Sequence, residues 1–199
     1  VMQTVTKTIA GALDHRPLII SIAAGISMVS LEQWLSADLP IVRCMPNTPS
    51  LVQTGAAGLF ANGQVSDQQK QLASDILNAV GTSCWLQTEA EIDAVTAVSG
   101  SGPAYYFLIM EIMQEIGEEL GLSPEVSRQL TLQTALGAAK MAINSDVDAA
   151  ELRRRVSSPG GTTECAIQAF EAGDLKTLFR KAMNSAVKRA AEMADELAN

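Results

Sequence analysis

The chain has 199 residues, of which 47% are hydrophobic and only 4% aromatic, and its formal net charge is −8. That length suits one large domain or two small ones, and the composition suits helices packed on aliphatic side chains. The acidic balance speaks against nucleic acid as a partner, because a phosphate backbone calls for a basic surface. No apolar run reaches membrane-spanning length, and the start does not read as a secretory leader.

Cys44, Cys84 and Cys165 are far apart and form no CxxC pair. They read as reduced thiols of a cytosolic protein. His15 is the single histidine, which excludes histidine-cluster metal sites; no metal is expected. Its place in a charged turn also speaks against a Ser-His-Asp triad.

In chain order, Val1, Val5, Ile9 and Leu13 recur at helical spacing. The chain thus opens inside a helix, and a preceding segment is expected. Leu18 to Ala24 is a near-continuous apolar run, as in a buried parallel strand. Gly25 follows, then Ser27 as the cap of a helix through Leu35. Pro40 to Met45 reads as a second strand. Helix, strand, helix, strand is half of a doubly wound α/β unit, whose ligands sit beyond the carboxyl ends of the strands. Ala23-Ala24-Gly25 and Met45-Pro46-Asn47-Thr48-Pro49 occupy those ends. Spacing alone favours plain turn chemistry for both loops.

Gly55 to Ala61 predicts a strand. Ser66-Asp67 predicts the start of an amphipathic helix to Val80, with Leu72, Ile76, Leu77 and Val80 as its apolar face. Thr82 to Leu86 predicts the last strand. From Glu91 onward the pattern is helical: Glu91 to Val98, a break at Gly100-Ser101-Gly102-Pro103, then a long helix to about Leu120. Further helices run from Ser123-Pro124 to Ile143, Asp148 to Val156, Thr162 or Thr163 to Ala172, and from Asp174 nearly to the end. These helices carry more apolar surface than one layer needs, which predicts a dimer interface.

Two stretches invite chemistry. Gly100-Ser101-Gly102-Pro103-Ala104-Tyr105 begins like a dinucleotide-binding loop but has Tyr105 where the third glycine belongs, and no strand precedes it. Ser157-Ser158-Pro159-Gly160-Gly161-Thr162-Thr163 lies between two helices. Its glycines free the backbone, and the helix it opens presents unpaired N–H groups that suit a small carboxylate or phosphate. Taken alone, those seven residues favour an ordinary loop with a threonine N-cap. The basic residues Lys140, Arg153, Arg154 and Arg155 read first as a solvated face.

Together these stretches resemble pyrroline-5-carboxylate reductases. The likeness is carried by Ser21 to Gly25, Arg43 to Pro49, Ile92 to Thr96, Ser99 to Tyr105, Gly137 to Lys140 and Ser157 to Thr163, in the family's order over nearly the whole chain. The resemblance implies an α/β Rossmann-type domain, incomplete at its N-terminus, over residues 1–88, and an all-α dimerisation and substrate domain over residues 89–199. It implies hydride transfer from NADPH or NADH to the C=N bond of 1-pyrroline-5-carboxylate, giving L-proline, the last step of proline biosynthesis, in a cytoplasmic homodimer that often assembles to a decamer.

By the same resemblance, Ala23, Ala24, Gly25, Met45, Pro46, Asn47, Thr48 and Arg155 face the cofactor. Glu89, Ser158, Gly160, Gly161, Thr162 and Thr163 face the substrate, with the Thr163 hydroxyl orienting its nitrogen. The family's glycine-rich pyrophosphate loop has no counterpart in these residues. Two other readings stay open. One is a related reductase of imines or 3-hydroxy acids, with Lys140 at the chemistry. The other is a non-catalytic dimerising fragment.

Overall fold

The computed structural model describes residues 2–35 and 38–198. They form two compact units: residues 1–103 together with 182–199, and residues 104–181. This division falls after Pro103.

The first unit contains α1 (Met2–Ala10), β1 (Ile19–Ser21), α2 (Met28–Leu35), β2 (Ile41–Met45), β3 (Gly55–Ala61), α3 (Asp67–Asn78), β4 (Gly81–Trp85) and α4 (Glu91–Val95). The sheet order is β1-β2-β3-β4. β1 and β2 run parallel, with Ile19 opposite Ile41 and Ser21 opposite Arg43. That pairing, with α2 as the crossover, is the βαβ unit that the alternating pattern predicts. β3 pairs antiparallel with β2 and parallel with β4, so the sheet is mixed.

β2 is buried at all five positions. Its alternation feeds two cores. Ile41 joins Ile26, Leu31, Trp34 and Leu35 on one face; Val42 and Cys44 join Leu59, Ala73 and Leu77 on the other. The apolar run around β1 does not make a fully covered strand. Its ladder ends at Ser21, and Ile22 stands exposed before Gly25 (φ +72°) turns the chain toward α2.

α3 starts where expected, on a capping box between Ser66 and Gln69. Its buried stripe is rotated from the expected one. Ala73 and Leu77, one turn apart, face the sheet, while Leu72 and Ile76 stay about half exposed. The expected break around Gly100 narrows to a bend at Ser101. α4 passes into a π turn (Thr96–Gly100), and after Ser101 the chain enters α5 (Gly102–Glu119). One widened turn takes up the extra residue and keeps the interruption to a single position.

The second unit holds most of α5, then α6 (Pro124–Ile143), α7 (Ala149–Arg155), α8 (Thr162–Ala172) and the start of α9 (Leu175–Ala198). Ser123 and Asp148 cap α6 and α7 through their side chains. Gly121, at φ +100°, makes the turn between α5 and α6. The two helices meet where Ser127 Oγ donates to the Gln114 carbonyl at 2.8 Å. Among the described residues of this unit only Ser127 and Thr131 are fully buried, and no apolar side chain is. Tyr106, Phe107, Leu108, Ile112, Met113 and Ile116 on α5 are all more than 40% exposed.

A Cβ on Gly117 would stand 2.2 Å from Ser127 Oγ. Gly117→Ala should therefore cost about 1–3 kcal/mol, the usual range for overpacking. Chemical denaturation measures it, and an unchanged midpoint would show that α5 and α6 do not pack this way.

Candidate functional site

In the first unit a cavity of about 180 Å³ opens at the carboxyl ends of β1 and β2. Ala24 and Gly25 reach it from the loop after β1, and Met45 from the end of β2. Asp93, Thr96 and Ser101 come from α4, the π turn and the residue after it; Arg189 and Met193 come from α9. The Gly25 backbone lies against α9, where a Cβ would be 3.2 Å from Met193 Cβ and 3.1 Å from Leu197 Cδ1.

Of the residues expected at the cofactor, Ala24, Gly25 and Met45 line this cleft. Ala23 packs against the core behind it. Pro46 is half-buried, and Thr48 is exposed at the start of a 3-10 turn (Thr48–Val52). The Asn47 carboxamide bonds the Ala56 N–H and the Ser99 carbonyl.

Glu89 does not line the cleft but is bonded to Arg43, which does. Its Oε1 accepts the Met28 N–H at 2.6 Å, at the first residue of α2, and also accepts from Arg43 Nη1. Arg43 is almost fully buried in β2, so the carboxylate is at once a helix-terminus cap and the counter-ion of a buried guanidinium. The partners are 46 residues apart. No local pattern in the sequence announces such a pair. Arg189 was also not singled out by the sequence; it is held by Glu192 and Glu196 on its own helix.

In the second unit the remaining expected residues cluster between α7 and α8. Gly161 is the N-cap of α8, without any side-chain cap, so neither threonine fills that place. The N–H groups of Thr162 and Thr163 lie in the first helical turn and have no intrahelical acceptor. Gly160, at φ +71°, donates its N–H to Glu164 Oε2 at 2.7 Å, and Gly161 N donates to the Ser158 carbonyl at 2.9 Å. A Cβ on Gly161 would fall 2.6 Å from Ser158 Oγ. Arg155 Nε donates to Glu151 Oε1 at 2.7 Å. Arg155 beside it, with Arg154, holds the Glu151 carboxyl below its usual range. Lys140 is exposed on α6.

A Rossmann-type α/β unit with a small cleft beyond its parallel strands and a helical unit with uncovered apolar faces place the chain among two-part α/β-plus-helical proteins. The profile described as pyrroline-5-carboxylate reductase dimerisation matches residues 89–193. The pyrroline-5-carboxylate reductase of Pseudomonas aeruginosa is 57% identical over 98% of this chain and 72% of its own length. That of Pasteurella multocida is 46% identical over 88% of this chain and 64% of its own. Among solved structures, the Coxiella burnetii pyrroline-5-carboxylate reductase superposes with a TM-score of 0.93 at 48% identity, covering 97% of this chain and 72% of that one. The Plasmodium falciparum pyrroline carboxylate reductase, with NADP bound, gives 0.88 at 33% identity, covering 96% and 72%. The chain belongs to the pyrroline-5-carboxylate reductase family.

Burial pushes the Cys44 thiol up to about 11 from 9.0. The unfolded chain therefore gives up this proton first, and the thiol's stabilising contribution, intact below pH 9.0, is lost as pH rises toward 11. At pH 8 a disulfide reagent should label the exposed Cys84 and Cys165 rapidly and Cys44 only after unfolding. Three fast equivalents would contradict the burial of β2.

Proposed function

We propose that the chain works as a pyrroline-5-carboxylate reductase, reducing the C=N bond of 1-pyrroline-5-carboxylate to give L-proline. The observation that carries the reading is 57% identity over 98% of the chain to a protein of that name. The cofactor is NADPH or NADH; a relative's structure holds NADP. The residues of the cleft fit one end of such a dinucleotide. Ala24, Gly25 and Met45 offer a small, largely apolar wall, and Thr96 and Ser101 offer hydroxyls. A volume of about 180 Å³ is too small for the whole dinucleotide, and no GxGxxG run occurs in the sequence.

When bound, the reduced nicotinamide supplies the hydride. The chain's own residues position the acceptor. The substrate carboxylate suits the N–H groups of Thr162 and Thr163 at the start of α8, with Gly160, Gly161 and Ser158 shaping the approach. The Thr163 hydroxyl orients the imine nitrogen, which is protonated by water or arrives as the iminium. Alignment of this kind can supply roughly 7–11 kcal/mol. Glu89 is given a different weight from the one expected of it. Its charge is already met by Arg43, so it acts on the site by holding β2 and α2 rather than as the main counter-ion of the nitrogen. Arg155, paired with Glu151, is available to a cofactor phosphate only by exchanging that partner.

The acting form is a homodimer through the helical half, and its dimers assemble further to a decamer. The uncovered faces of α5 and α6 support the dimer. The cytoplasm is the proposed location, in keeping with three unpaired cysteines. Among the described residues no helix is long and apolar enough to cross a membrane.

Purified protein should oxidise NADPH in the presence of pyrroline-5-carboxylate and not of 3-hydroxy acids. Turnover of the hydroxy acids alone would replace this reading by its rival. Thr163→Ala should lower kcat by one to two orders of magnitude with assembly unchanged, whereas wild-type kcat would remove Thr163 from the site. Light scattering at micromolar concentration should give at least the mass of a dimer. A folded monomer would contradict a helical half that depends on a partner.

A further inference from the structure

Pro103 carries no N–H, so in an α-helical register the Ser99 carbonyl, four residues before it, has no donor. Asn47 supplies one: its Nδ2 donates to Ser99 O at 3.0 Å. The other end of the same carboxamide, Oδ1, accepts the Ala56 N–H at 2.9 Å. One side chain thus ties the end of β2, the start of β3 and the π turn together. The π register is explicit, since Ser101 N donates to Thr96 O five residues back at 2.7 Å. The turn packs on the end of β2, where a Cβ on Gly100 would lie 3.6 Å from Met45 Sδ. Thr96 and Ser101, on either side of the turn, line the same cleft as Met45 and Gly25.

We propose that Asn47 is a positioning residue of the reductase. It holds the Thr96–Ser101 wall in the π register opposite Gly25 and Met45, and it acts on the cofactor ring through that wall rather than by direct contact. This rests on the cleft being the nicotinamide end of the site.

The test compares Asn47→Ala with the double variant Asn47→Ala/Pro103→Ala in the active enzyme. The second substitution restores an N–H to Ser99 O, but in the α register. Asn47→Ala should lower Tm, weaken NADPH binding measured by fluorescence, and reduce kcat at least tenfold. The double variant should recover Tm while kcat and NADPH affinity stay low, because the wall has moved. Recovery of kcat together with Tm would reduce Asn47 to a stabilising contact and overturn the proposal. So would Asn47→Ala with kcat and NADPH affinity within twofold of wild type. Should the wild type bind NADPH but not reduce pyrroline-5-carboxylate, the assigned reaction falls, and the binding arm alone still decides the role of Asn47. A wild type that does neither removes both.

Discussion

Residues 104–181 fold into helices that, among the described residues, bury no apolar side chain completely. Hydrophobic burial is the dominant favourable term in folding, and a helical unit of this size cannot offset its conformational entropy with two buried hydroxyl residues. A second surface is called for, and the dimerisation profile matched over residues 89–193 supports association with another copy of the chain. The α7–α8 loop belongs to this thinly buried unit. Its local bonds, Gly160 to Glu164 and Gly161 to Ser158, shape the loop.

The first unit is held from the inside. β2 runs through the middle of it with every residue buried, including an arginine. A guanidinium there is tolerable only because Glu89 meets it, and Glu89 is fixed in turn by the first N–H of α2. The same strand ends at Met45, in the cleft, and continues into Asn47, which fastens the π turn. Core, ion pair and cleft wall are consecutive positions of one short segment, Arg43 to Asn47.

What was legible in the sequence was local. β3 begins and ends at the predicted Gly55 and Ala61, and α6 starts on Ser123-Pro124 and stops at Ile143, because caps, glycines and prolines act within a few residues. The family was legible too, from short stretches with fixed order. Features that depend on partners far along the chain were not. The antiparallel direction of β3, the rotated stripe of α3 and the Arg43–Glu89 pair all follow from tertiary contacts. The glycines before Pro103 read as a break because a π turn and a loop have the same composition; the backbone bond from Ser101 to Thr96 and the carbonyl bonded by Asn47 tell them apart.

Both guanidinium groups that line the cleft are already matched: Arg43 by Glu89, Arg189 by Glu192 and Glu196. Together with a net charge of −8, this leaves that mouth without an attractive field for an anion. A group that enters there is admitted by shape and hydrogen bonding at close range. Its encounter rate gains nothing from long-range attraction, and the residual field that an anion meets is a repulsive one, which salt weakens.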